Sequence, residues 1–251
     1  MLVAQDLHIG YGSCEVARTV GDFAFAKANL TAIIGGNGMG KSTFLRALAY
    51  GNHKISGNVI LDNKLRQNYS DVEWSRKVAV VLTQREFSHH LTVKELLELS
   101  RIPYSNFMAN ISEADNEIIQ KISTDFQIST LLGRRLHSIS DGQLQRVLIA
   151  RALVQDTDFI LMDEPTSHLD LNFKIDLLHQ LKEVCLTNKK GIIFCTHELE
   201  MALHLANELV TIHKGSIVKH TRQELLSSNL LNKMFPSSKL NFDENGVSYK
   251  W

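Results

Sequence analysis

Two hydrophobic periods alternate along this chain. Leu2 to Ile9 and Leu30 to Ile34 are strand-like runs, and Asn58-Val59-Ile60-Leu61-Asp62-Asn63 is another whose Asp-Asn end predicts a turn. Phe159-Ile160-Leu161-Met162 is continuously apolar, as a parallel strand buried on both faces requires. Val78 to Thr83 and Ile192 to Thr196 are apolar runs too. Between them the spacing becomes helical. Thr43 to Tyr50 is helix-like, and Thr92 to Leu99 reads as a capped helix stopped by Pro103, with Thr92 and Glu95 at capping-box spacing. Asp115 to Phe126 repeats Ile118, Ile119, Ile122 and Phe126 at near-helical intervals, and Leu144 to Leu153 forms a further helix. Leu225, Leu226, Leu230 and Leu231 place an apolar stripe on a helix that packs onto the core, before a polar turn at Asp243-Glu244-Asn245-Gly246. The order predicts an α/β chain: β-rich to about residue 85, helical from roughly Arg85 to His137, and α/β again afterwards.

Chemistry enters at Gly35-Gly36-Asn37-Gly38-Met39-Gly40-Lys41-Ser42, between the run Ala32-Ile33-Ile34 and the helix-like stretch from Thr43. This is the strand–loop–helix setting of a phosphate-binding loop. Its glycines let successive backbone N–H groups turn inward around phosphates, and the helix that follows adds the positive end of its dipole. Lys41 is predicted to reach the terminal phosphates of a nucleoside triphosphate, and Ser42 to offer its hydroxyl to magnesium. Downstream, Phe159 to Met162 ends in Asp163-Glu164-Pro165. Ligands of open α/β sheets bind at the carboxyl ends of strands, so Asp163 is assigned to the metal shell and Glu164 to polarising the attacking water.

Between these motifs lies Ile139-Ser140-Asp141-Gly142-Gln143, leading into Leu144-Gln145-Arg146-Val147-Leu148. This segment resembles the signature motif of the ATP-binding-cassette (ABC) ATPases, usually Leu-Ser-Gly-Gly-Gln, and the other motifs of that family follow in its order. Tyr11 stands where the family stacks an aromatic ring on adenine. Gln84 matches the Q-loop glutamine, Ser167-His168-Leu169-Asp170 the D-loop, and His197 the switch histidine. The resemblance covers essentially the whole chain. Several positions depart from the commonest form, among them Gly36 for a proline, Met39 for a small residue, Asp141 for the first signature glycine and His168 for an alanine. The first two offer backbone to phosphate, so binding should survive them; Asp141 either alters ATP affinity or only marks a subgroup, and His168 bears on the fine tuning of the subunit contact.

Composition changes little. Lys plus Arg and Asp plus Glu number 27 each, so the net charge is zero and there is no electrostatic footprint for nucleic acid or anionic lipid. Cys14, Cys185 and Cys195 are unevenly spaced and read as thiols of a reducing compartment. No signal peptide or run of about twenty apolar residues is present.

The resemblance implies more than the residues do alone. It implies an α/β fold with a RecA-like P-loop NTPase core, an antiparallel β edge and an inserted helical subdomain. A single domain over 1–251 is expected, with 1–85 and 144–219 as the nucleotide-binding core, 86–143 as the helical and signature subdomain, and 220–251 as a tail. It implies ATP and Mg2+, bound by Tyr11, Gly35, Asn37, Gly38, Gly40, Lys41, Ser42 and Thr43, with Ser42, Gln84 and Asp163 around the metal. Glu164, His197, Lys41 and Gln84 would carry catalysis. Ser140, Gly142, Gln143 and Asp170 would serve a head-to-tail homodimer in which each signature caps the ATP of the other copy. Leu91-Thr92-Val93, the stretch Glu98 to Tyr104 and the tail from Phe235 to Lys250 are similar to ATPases of iron-siderophore, haem and cobalamin importers. That implies two membrane permeases docked near Arg85 to Met108, an external binding protein, and a place on the cytoplasmic face of the membrane. A zinc or manganese transporter, an exporter, and a soluble cassette ATPase of DNA repair, translation or cluster assembly stay open. An unrelated phosphate-loop switch does not account for Ser140-Asp141-Gly142-Gln143.

Overall fold

The computed structural model describes residues 1–82, 88, 90–105, 111–167, 169–236, 240–243 and 246–249. The chain opens with β1 (Leu2–Tyr11), β2 (Cys14–Thr19), β3 (Phe23–Phe25) and β4 (Asn29–Gly35), followed by α1 (Lys41–Tyr50). Next come β5 (Lys54–Leu61) and β6 (Lys64–Leu65), joined at Asp62 and Asn63, whose φ values of 49° and 61° form the turn expected there. A short α2 (Asp71–Ser75) leads to β7 (Val78–Val81). The helical segment is α3 (Val93–Leu99), α4 (Glu113–Asp125) and α5 (Asp141–Val154). The α/β pattern then resumes as β8 (Phe159–Asp163), α6 (Leu171–Thr187), β9 (Gly191–Cys195), α7 (Leu199–Leu205), β10 (Glu208–His213) and β11 (Ser216–Thr221). The chain finishes with α8 (Arg222–Ser227), α9 (Leu230–Met234) and the hairpin β12 (Leu240–Asp243) and β13 (Gly246–Tyr249).

Eleven of these strands form one curled sheet in the order β6-β5-β1-β2-β11-β10-β4-β9-β8-β7, with β3 on β1. From β10 to β7 the strands run parallel, and from β6 to β2 antiparallel. The parallel strands are mostly apolar because helices cover both faces, with Thr31 of β4 and Thr211 of β10 among the buried polar exceptions. In β4, Leu30, Ala32 and Ile34 belong to the cluster that also takes in residues of α3 to α7, whereas Ile33 belongs with Phe44, Leu45 and Leu48 of α1. β8 divides likewise, Ile160 and Met162 on one side and Phe159 and Leu161 on the other.

The capping box foreseen at Thr92 and Glu95 is present, yet α3 stops at Leu99, before Pro103. There the Ser100 hydroxyl donates to the Leu97 carbonyl at 2.6 Å, and Ile102–Tyr104 make one tight 3-10 turn. α4 begins at Glu113 instead of Asp115, because Ser112 and Asp115 make a capping box of their own. The stripe near the C-terminus lies on two short helices, not one. Ser228, which ends α8, is extended (φ −82°, ψ 145°), and Leu225, Leu226 and Leu231 still reach the larger apolar cluster. The polar turn joins β12 to β13 with Asp243 opposite Gly246; Glu244 and Asn245 lie outside the described residues.

One buried ion pair binds the helical segment together. Arg101 Nε donates to Asp115 Oδ1 at 2.6 Å, and its Nη1 donates to the Val154 carbonyl at the end of α5 at 2.8 Å. Burial pushes the Asp115 carboxyl up, but hydrogen bonds from Ser112 and Arg101 outweigh it and hold the group below the usual aspartate value. It therefore stays ionised against the buried guanidinium, and Arg101 ties the segment after α3 to α4 and to the end of α5.

Candidate functional site

The carboxyl ends of β4, β8 and β9 lie side by side, since these strands are neighbours in the sheet. β4 delivers the glycine-rich loop. Gly35 lies against β10 so closely that a Cβ there would stand 2.7 Å from the Ile212 carbonyl oxygen. Gly40, at φ +100°, is the position before α1, and a Cβ on it would meet Val16 Cγ1 at 2.8 Å. No side chain caps α1, so its first-turn N–H groups are left for an anion.

Lys41, the first residue of α1, is only 6% exposed, and its Nζ donates to the carbonyls of Gly35 at 2.9 Å and Gly36 at 3.1 Å. Burial lowers its pKa from the ordinary lysine value, against the pull of Cys195, Glu164 and Asp163. The Ser42 hydroxyl donates to Asp163 Oδ1 at 2.9 Å. Asp163 ends β8, is 2% exposed, and faces Cys195 across the β8–β9 ladder. Cys195 is fully buried, which pushes its thiol well above its usual pKa and leaves it unreactive.

Glu164 follows with φ +50°. A non-glycine residue held in the left-handed region costs about 1–2 kcal/mol, so the surrounding bonds must hold it there. They are Glu164 N–H to the Cys195 carbonyl at 3.2 Å and Ser167 N–H to the Glu164 carbonyl at 3.1 Å. The carboxylate so aimed pairs through Oε1 with His197 Nε2 at 2.5 Å. His197 is carried by the segment after β9, where Thr196 N–H bonds the Ile33 carbonyl and Lys174 pairs with Glu198. On the opposite rim, Tyr11 at the end of β1 is 54% exposed; its hydroxyl lies 3.0 Å from Thr43 Oγ1 and its ring stands edge-on to His53 at 5.0 Å.

Tyr11, Asn37, Gly38, Gly40, Lys41, Ser42, Thr43, Glu164 and His197 thus line one cleft of about 390 Å³. A larger hollow of about 680 Å³, lined in part by Arg222, Gln223 and Ser227 of α8, holds none of these groups. Aromatic ring, glycine-rich loop, ammonium, hydroxyl–carboxylate pair and carboxylate–imidazole pair form a set suited to a base, a polyphosphate and a water. Ser140, Gly142, Gln143 and Asp170 do not line that cleft. Ser140 caps α5, accepting from Gln143 N–H at 3.3 Å while Gln143 Oε1 accepts from Ser140 N–H at 3.0 Å. Asp170 caps α6 by accepting from Phe173 N–H at 2.9 Å. Gln84 and His168 lie outside the described residues.

Two features escaped the sequence reading. Gln145 is 3% exposed and donates through Nε2 to the Pro165 carbonyl at 3.0 Å. A glutamine in helical register with the apolar Leu148, Ile149 and Ala152 was the available signal. His53, which abuts Tyr11, carried none.

The family model described as ABC transporter matches residues 21–167, more than half of the chain. The petrobactin import ATP-binding protein FpuD of Bacillus anthracis is 32% identical over 93% of this chain and 86% of its own. The ferric enterobactin transport ATP-binding protein FepC of Escherichia coli strain K12 is 32% identical over 93% of this chain and 86% of its own. Among solved structures, an inward-facing ABC transporter assigned to the metal-chelate type superposes with a TM-score of 0.82 at 22% identity, covering 100% of this chain and 97% of that one. The dimeric post-hydrolysis state of the cassette MJ0796, bound to ADP and Pi, gives 0.78 at 22% identity over 88% and 99% of the two chains. These two likenesses speak to the fold.

Proposed function

The chain belongs to the ABC transporter family, and from that premise we propose that it drives the import of a metal chelate, an iron-siderophore, haem or cobalamin, as the ATP-hydrolysing subunit of a membrane complex. The observation that carries the reading is the convergence of Lys41, Ser42 and the Glu164–His197 pair in one cleft, with the buried Asp163 bonded to Ser42. Two relatives named for petrobactin import and ferric enterobactin transport support the substrate class.

In this reading the adenine stacks on Tyr11 and the phosphates lie along the amides of Gly38 to Thr43. Lys41 Nζ exchanges the Gly35 and Gly36 carbonyls for phosphate oxygens, whose charge offsets the burial of the ammonium. The Ser42 hydroxyl and Asp163 carboxylate are hard oxygen donors already 2.9 Å apart, which fits magnesium, with Gln84 as the further expected protein ligand. When bound, that ion neutralises phosphate charge. Glu164 exchanges His197 for water, orients it and accepts its proton, and His197 Nε2 donates to the γ-phosphate.

Ser140, Gly142, Gln143 and Asp170 lie away from the cleft of their own chain and complete that of a second copy in a head-to-tail dimer. Leu99 and Ile102 are exposed apolar side chains near the Tyr104 turn and offer the permeases a docking surface. Among the described residues no helix is long and apolar enough to cross a membrane. The permeases hold the chain at the cytoplasmic face.

Tyr11→Ala should raise the ATP KM about tenfold with kcat within about twofold, since a base–aromatic stack contributes about 1–3 kcal/mol to binding. Steady-state kinetics check it. The transport reading is tested by isolating the Glu164→Gln chain with ATP from its own cells in mild detergent. A polytopic membrane protein should accompany it; soluble partners alone would favour a repair or assembly ATPase.

A further inference from the structure

Gln145 holds the segment behind Glu164. Its Nε2 bonds the carbonyl of Pro165, one peptide past Glu164, from within the helix whose first turn contains Gly142 and Gln143. The neighbouring Arg146 guanidinium lies over the Phe173 ring at 3.9 Å, in the first turn of α6 beside its cap Asp170. α5 therefore grips both the segment after Glu164 and the helix after Asp170. Leu148, Ile149 and Ala152 show that this stretch of α5 accepts apolar side chains. An apolar residue at 145 would suit burial; an amide adds a directional tie, since a buried polar group is retained only when bonded.

We propose that Gln145 is a positioning residue that couples the signature end of α5 to Glu164 of the same chain, and so links the two ATP clefts of the dimer. The inference rests on the head-to-tail reading. There Ser140 of one chain touches the nucleotide of the other copy, while Glu164 acts on its own. When the second nucleotide arrives, α5 shifts, and Gln145 passes the shift through the Pro165 carbonyl to Glu164. The Glu164 backbone, at φ +50° and bonded on both sides, has little freedom to absorb it. Occupation of one cleft then sets turnover in the other.

The test uses the full-length chain with the rate measured against ATP concentration, alongside mant-ATP titration and thermal melting. Wild type should show a Hill coefficient approaching about 2. Gln145→Met, similar in length but without the donor, should bring it toward about 1 and lower kcat about tenfold, with the mant-ATP Kd unchanged within about twofold. Gln145→Glu guards against a folding defect. Its protonated acid can donate to Pro165, so cooperativity should recover as pH is lowered and vanish as it is raised. A cooperative wild type with equally cooperative Met and Glu variants overturns this inference alone. A wild type with a Hill coefficient of about 1, monomeric in ATP, overturns the dimer reading and the inference with it.

Discussion

Glu164→Gln is expected to cut ATP turnover by roughly two to four orders of magnitude, the range a positioned general base contributes. ATP binding should stay within about twofold, because the phosphates are held by the amides around Gly40 and by Lys41, whose bonds to the loop carbonyls the change leaves in place. Gln keeps the length and one carbonyl oxygen of Glu164, so the backbone at φ +50° and its bonds to Cys195 and Ser167 are retained. What is lost is the charge that pairs with His197 and that would accept the proton of water. With hydrolysis blocked, ATP should accumulate on the protein and bring two copies together. Single-turnover kinetics and light scattering read the two effects. Rapid turnover by this variant would remove Glu164 from its role.

The second large effect is expected at Lys41. Lys41→Ala should weaken ATP binding by roughly two to three orders of magnitude, the equivalent of about 3–4 kcal/mol from charge-assisted hydrogen bonds to phosphate. The unliganded fold should not suffer correspondingly. The ammonium is almost wholly buried and bonded only to two loop carbonyls in the described contacts, and the burial that lowers its pKa also makes it costly to keep there. The melting temperature without nucleotide should thus change by only a few degrees, whereas the rise that ATP produces in wild type should be lost. Differential scanning fluorimetry with and without ATP separates the two. An equal fall in both conditions would make Lys41 a structural residue.

Much of this was legible because the buried parallel strands must be continuously apolar. Phe159 to Met162 and Ile192 to Thr196 identify themselves, and whatever polar residue ends them stands at the edge where ligands bind. Asp163 and Glu164 were found that way and the loop from Gly35 to Ser42 by its glycines, whereas His197 was singled out only by the resemblance to the switch histidine of the ABC ATPases. The sequence did not disclose how these groups meet. That Glu164 takes a left-handed backbone and pairs with His197 depends on β8 and β9 being neighbours, which no local spacing encodes. Helix limits failed for another reason. Ser112-Glu113-Ala114-Asp115 is a capping box with aspartate in the place glutamate usually takes, and the short tail helices break at Ser228 without glycine or proline to mark it. Ser140 and Gln143 illustrate the converse. Their bonds to each other are those of an ordinary helix cap, and only the motifs elsewhere in the chain give them a further meaning.

In the proposed head-to-tail dimer each working site is built from two chains, the phosphate loop of one and the signature of the other. The most direct measurement mixes two inactive variants, Lys41→Ala and Ser140→Arg, and follows ATP hydrolysis. In a head-to-tail heterodimer one cleft carries both changes and the other carries neither. Random pairing should therefore restore up to about one quarter of the wild-type rate, since half the dimers would hold one intact site of two. A mixture as inactive as either variant alone, even when both chains also carry Gln145→Met so that an empty cleft no longer governs its neighbour, would mean that each chain uses its own Ser140 and would overturn the head-to-tail pairing.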